Sequence, residues 1–139
     1  MTSLKDVVRE VAVQLVVSRD YSLPLCMRLA YDPTDPHVVR AAFFVHGDES
    51  VEWVLSRDLL SDGLKDSVGD GDVRIWPAVG RGDEAMYVVL KNSKGTALLE
   101  VPAREVKSFL ENTQALVPRG TESTRIDWDA EVAFLLSQG

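Results

Sequence analysis

Alternation with a period of two dominates the first half of the chain. Val11, Val13, Leu15 and Val17 fall on one side of an extended segment that ends near Ser18, and Leu25, Met27, Leu29 and Tyr31 on one side of the next. Successive side chains of a strand point to opposite faces, so each run predicts a half-buried strand. The stretch before Val11 reads differently. Leu4, Val7, Val8 and Val11 recur at helical spacing, with Ser3 and Asp6 placed as a capping box. That predicts at most a short helical turn and leaves room for a mobile stretch over residues 1–10. Arg19-Asp20-Tyr21-Ser22 supplies the turn between the two strands. The second strand stops at Asp32-Pro33-Thr34-Asp35-Pro36, where two prolines fix φ and remove backbone donors. Val39, Ala41, Phe43 and Val45 then form a third alternating face, with Val38, Ala42 and Phe44 opposite. Apolar residues on both sides predict a strand covered on both faces. The polar turn His46-Gly47-Asp48-Glu49-Ser50 joins it as a hairpin to a short strand over residues 51–55.

The second half mixes periods. Ser56 is a good N-cap for a short helix through Leu59, Leu60 and Leu64, weakened at its end by Gly63. Gly69-Asp70-Gly71 has turn chemistry, Val73-Arg74-Ile75-Trp76 reads as a strand stopped by Pro77, and Gly80-Arg81-Gly82-Asp83 as a flexible tip. Residues 85–91 and 96–101 pair as a hairpin across Asn92-Ser93-Lys94-Gly95. Pro102 suits the first turn of a helix on which Val106, Phe109, Leu110 and Thr113 recur at i, i+3, i+4 and i+7, and Val117-Pro118-Arg119-Gly120 ends it. A last helix is expected over residues 127–137, with Val132, Leu135 and Leu136 inward and Asp127, Asp129 and Glu131 where the helix dipole favours acids. The sum is one α+β domain over residues 1–139, with about seven mainly antiparallel strands in a curved or two-layered sheet and about three helices.

Composition narrows the function. A chain of 139 residues buries a self-sufficient core without metal or disulfide staples. The single cysteine, Cys26, excludes an intrachain disulfide and fits a reducing compartment. Neither a signal peptide nor an apolar run long enough to span a membrane is present, so a cytoplasmic protein is expected, reaching a membrane only through partners. A formal net charge of −7 repels polyanions at long range and makes nucleic acid the weaker choice of partner.

Residues with chemistry to offer are few. His37, His46 and Cys26 do not have the spacing of a zinc site, and they read as surface histidines and a small buried hydrophobe. The chain has no G-x-S-x-G elbow, phosphate loop or dinucleotide fingerprint. Gly69-Asp70-Gly71-Asp72 lacks the alternating ligands and closing glutamate of a calcium loop. Asp32 and Asp35 each precede a proline and read as turn caps, with no setting that would separate their pKa values for acid–base work. No catalytic residue, metal or cofactor is therefore expected. Trp53 and Trp76 each sit in a short strand beside charge, Glu52 and Arg74 respectively. They read either as core tryptophans or as interface anchors. Trp53, Arg57, Arg74 and Trp76 are the protein-interaction candidates.

Several phrases in a fixed order carry a resemblance. They are Ser22-Leu23-Pro24, Leu29-x-Tyr31-Asp32-Pro33-x-Asp35-Pro36 and Val51-Glu52-Trp53-Val54-Leu55-x-Arg57-Asp58-Leu59-Leu60-x-x-Gly63. Gly71-Asp72-Val73-Arg74-Ile75-Trp76-Pro77, Ala97-Leu98-Leu99-Glu100-x-Pro102-Ala103, Phe109-Leu110 and Val117-Pro118-x-Gly120-Thr121-Glu122 follow. The set resembles the SsgA-like proteins of sporulating actinobacteria. That resemblance implies a non-enzymatic regulator of sporulation-specific cell division, an adaptor or scaffold recruited to the division septum that helps place the tubulin-like GTPase FtsZ or works with other septation proteins. It also implies a Whirly-like fold and a homo-oligomer, with a trimer in keeping. The alternative it carries is a single-stranded nucleic-acid-binding protein of that same fold.

Overall fold

The computed structural model describes residues 6–47, 49–78 and 85–122. Eight antiparallel strands form one curled sheet: β1 (Val7–Ser18), β2 (Tyr21–Tyr31), β3 (Val38–His46), β4 (Glu49–Ser56), β5 (Val68–Asp70), β6 (Val73–Pro77), β7 (Ala85–Asn92) and β8 (Gly95–Pro102). Two helices, α1 (Arg57–Gly63) and α2 (Ala103–Leu116), complete the described residues. The sheet order is β4-β3-β2-β1-β8-β7-β6-β5. It therefore consists of two four-stranded meanders, each of sequence neighbours, joined where β1 meets β8 at Gln14↔Glu100 and Leu15↔Leu99.

Parity decides which side chains are inside. Met27, Leu29 and Tyr31 of β2, Val39, Ala41 and Phe43 of β3, and Met86, Val88 and Leu90 of β7 share the inner face and are buried. α2 closes over this face. Val106, Phe109, Leu110 and Thr113, the expected stripe, are all buried, and full burial of a side chain such as Phe109 contributes roughly 2–3 kcal/mol. Pro102 occupies the N-cap position, one residue ahead of the helix. At α1, Ser56 Oγ accepts the Leu59 N–H at 3.1 Å, the expected cap. Gly63 is there for a reason of space. A Cβ on it would lie 2.8 Å from Ile75 Cβ, so glycine lets the helix end touch β6.

The structure corrects the sequence reading in four places. Val7 to Val11 are strand, paired with Met27 to Tyr31, so there is no helical turn from Val7 onward. Val8 lies on the outer face, 55% exposed, and its apolar character produced the false helical spacing. An eighth strand, β5, exists because Gly71 at φ 59° turns three residues back onto β6. Tyr21 already belongs to β2, leaving Arg19-Asp20 as the turn. The outer face of β3 has no second layer among the described residues. Val38, Ala42 and Phe44 are half-buried, and the Arg28 guanidinium lies 4.9 Å from the Phe44 ring centroid. The helix expected over residues 127–137, the Ser3 part of the capping box and the tip at residues 80–83 lie outside the described residues.

Candidate functional site

Two places gather the candidate residues, one internal and one on the surface. The internal place is built around Arg57, the first residue of α1, which is wholly buried. Its Nη1 donates to Val117 O at 2.7 Å and to Thr113 O at 3.4 Å, at the end of α2. Its Nη2 donates to Glu122 Oε2 at 2.9 Å. The guanidinium stacks 5.0 Å from the Tyr31 ring, and Tyr31 Oη in turn donates to Pro36 O at 3.0 Å. The Arg57 backbone N–H reaches His37 O at 2.9 Å. The Arg57 side chain thus ties together β2, α1, the end of α2 and the segment after it, and its backbone N–H and the Tyr31 hydroxyl secure the end of the proline turn. Glu122 is buried with it. The Arg57 hydrogen bond, followed by the backbone N–H groups of Glu122 and Gly120, holds the Glu122 carboxyl down to about 2, against the desolvation that raises it. Arg119 adds an exposed clasp, with Nη1 at 2.8 Å from Asp62 Oδ1 and Nε at 3.1 Å from Asp58 Oδ1. Its hydrogen bond lowers the Asp62 pKa.

This arrangement moves Arg57 off the interaction surface where the sequence reading had placed it. Every one of its contacts points inward. Trp53 is also not a free surface group. It shares the inner face of edge strand β4 with Leu55, opposite Ala41, and packs half-buried against the core. Glu122, the counter-charge, was not singled out from sequence beyond its place in a motif. Its partner is 65 residues away in the chain, and no local pattern announces such a pair.

The surface place brings the other two candidates together. Arg74 and Trp76 alternate with the inward Val73 and Ile75 on β6, and so share the outer face. Trp76 is opposite Tyr87 of β7, their ring centroids 5.8 Å apart at 31°. Tyr87 Oη donates to Glu100 Oε1 on β8 at 3.1 Å, which fixes the tyrosine against its neighbour. Ser67, Arg74, Trp76, Pro77 and Val89 line a groove of about 560 Å3 over this face. Among the described residues no group of acids, histidines or cysteine could hold a metal ion, and no helix is long and apolar enough to cross a membrane.

Known proteins share this architecture and sequence. The family described as "Streptomyces sporulation and cell division protein, SsgA" matches residues 25–122. The sporulation-specific cell division protein SsgB of Streptomyces coelicolor is 45% identical over 129 residues, 93% of this chain and 94% of the relative. SsgB of Thermobifida fusca is 42% identical over 92% of this chain and 93% of its own length. A solved structure from work on SsgB of Streptomyces coelicolor superposes with a TM-score of 0.85 at 44% identity, over 91% of this chain and 99% of that one. The SsgA-like sporulation-specific cell division protein of Thermobifida fusca superposes at 0.84 with 41% identity, over 96% of this chain and 97% of that one. A family match over most of the chain, together with relatives matched along nearly their whole length, shows that this chain belongs to the SsgA family of sporulation and cell division proteins.

Proposed function

We propose that the chain is a non-enzymatic adaptor of sporulation-specific cell division, recruited from the cytoplasm to the septum, where it helps place FtsZ or works with other septation proteins. The observation that carries this reading is the outer face of β6 and β7, where Trp76 and Tyr87 stack beside an exposed Arg74 over an open groove. Aromatic and arginine side chains are the groups that most often anchor protein interfaces. The relatives' role in sporulation-specific cell division supports the reading. Self-association, as a trimer, would multiply this face and raise avidity for a filament without any new contact.

The test is co-sedimentation of the purified chain with GTP-assembled FtsZ, with labelled single-stranded DNA titrated in parallel. Saturable pelleting without a DNA shift is the expected result. The second reading, single-stranded nucleic-acid binding on a Whirly-like sheet, draws on the same Trp76–Tyr87 stack. The net charge of −7 weighs against it. Salt-sensitive DNA binding without pelleting would install it in place of the first.

A further inference from the structure

The outer groove has the size and chemistry of a site for a short extended segment. Its volume of about 560 Å3 falls within the roughly 300–1,000 Å3 of small-ligand clefts. Three features define what could lie in it. First, β5 pairs with β6 from Val68↔Ile75 to Asp70↔Val73, so among the described residues β6 has no neighbouring strand on that side beside Trp76 and Pro77. The groove runs along that stretch of β6, over an apolar floor of Trp76, Pro77 and Val89. Second, Arg74 stands at the rim and its stem lies across β5 at Gly69. A Cβ on Gly69 would come within 3.3 Å of Arg74 Cγ, so glycine leaves the room in which the arginine lies. Third, among the described residues Arg74 has no carboxylate partner, whereas the outer-face arginines of the first meander do. Arg28 is paired with Glu10, and Arg40 with Glu52 and Asp35. An unpaired guanidinium beside an apolar groove is complementary to a carboxylate next to an apolar side chain.

We infer that this groove takes an extended acidic segment of a partner protein, with an apolar side chain on Trp76 and Val89 and a carboxylate held by Arg74. The inference rests on the adaptor reading and names the chemistry of the partner.

Fluorescence anisotropy on the full chain tests it. The probes are two pools of fluorescein-labelled ten-residue peptides. One alternates Asp or Glu with Leu, Ile or Phe, and the other has Lys in place of the acids. The acidic pool should bind saturably and the lysine pool should not. Arg74→Glu should weaken the acidic pool roughly tenfold or more, the scale of one lost charge-assisted hydrogen bond. Arg74 is exposed, so this variant should keep the wild-type circular dichroism spectrum. Trp76→Ala should weaken binding as well, and Val51→Lys, on the distant edge strand β4, should leave it unchanged. No binding of the acidic pool, equal binding to wild type and Arg74→Glu, or a preference for the lysine pool overturns the inference. So does a labelled oligothymidine whose binding, rather than the peptides', is lost in Arg74→Glu. FtsZ pelleting of the wild type separates the two levels. If pelleting persists while the acidic pool fails, the groove assignment alone falls, and if pelleting is also absent, the adaptor reading falls with it.

Discussion

Replacing Glu122 by Gln removes the counter-charge of a buried arginine while keeping the shape of the side chain. In the folded chain the carboxyl titrates at about 2 instead of its ordinary 4.5, chiefly because Arg57 donates to it. At about 1.4 kcal/mol per pH unit that difference amounts to about 3 kcal/mol of stability. It matches the roughly 3–5 kcal/mol lost when one partner of a buried ion pair is deleted. The sign follows from the direction. Folding makes this carboxyl more acidic, so its contribution is complete above about pH 4.5 and is lost as the pH falls toward 2. Urea unfolding of wild type and Glu122→Gln, followed by far-UV circular dichroism at pH 7, 4 and 3, should therefore show a gap of about 3 kcal/mol at pH 7. On a domain of this size that is a drop in Tm of roughly 10 °C. The gap should narrow at pH 4 and more so at pH 3. A gap below about 0.5 kcal/mol at pH 7, or one that does not narrow with acid, would refute the claim that the buried pair clamps the end of α2.

Three smaller perturbations read the same framework by urea or thermal unfolding. Gly63→Ala drives a methyl group into Ile75, and overpacking at this helix–sheet contact should cost about 1–3 kcal/mol even though alanine is the better helix former. A stabilised Gly63→Ala would mean that the contact yields freely. Ser56→Ala removes the side-chain acceptor of the Leu59 N–H and should cost about 1 kcal/mol, with Ser56→Asp restoring most of it. Arg119→Ala breaks ion pairs that are nearly half exposed on both sides, so it should cost no more than about 1 kcal/mol at low salt, and less in 1 M NaCl.

The legible parts of the fold were those whose pattern is local. Leu25, Met27, Leu29 and Tyr31 alternate because one side of β2 is packed and the other is not, and the α2 stripe repeats because a single face of the helix meets the sheet. β5 escaped because three residues with a turn glycine beside them are too few to show a period. Val7 to Val11 misled because an exposed valine on the outer face is as apolar in sequence as a buried one. Half of the interaction candidates were placed together: Arg74 and Trp76 are two apart on a strand, and alternation alone puts them on one face. Tyr87, which completes the stack, depends on the register between β6 and β7, and nothing in the sequence of either strand specifies that register by itself. Arg57 follows a cap serine and precedes an aspartate, as surface arginines often do at a helix start. Only the docking of the chain after α2 makes it an interior group.

The join between β1 and β8 bears on how the molecule assembles. Within each meander every strand pairs with its sequence neighbour, so both halves can zip from their turns at small cost in loop closure. The first strand and the last must instead find one another across nearly the whole described chain, and they meet at only two register pairs. α2 lies over that join, packed against β1, β7 and β8, with Glu105 reaching back to Arg9 of β1 at 2.8 Å. The helix that emerges directly from β8 thus lies as a bolt across the seam between the two meanders, held to β1 by Glu105.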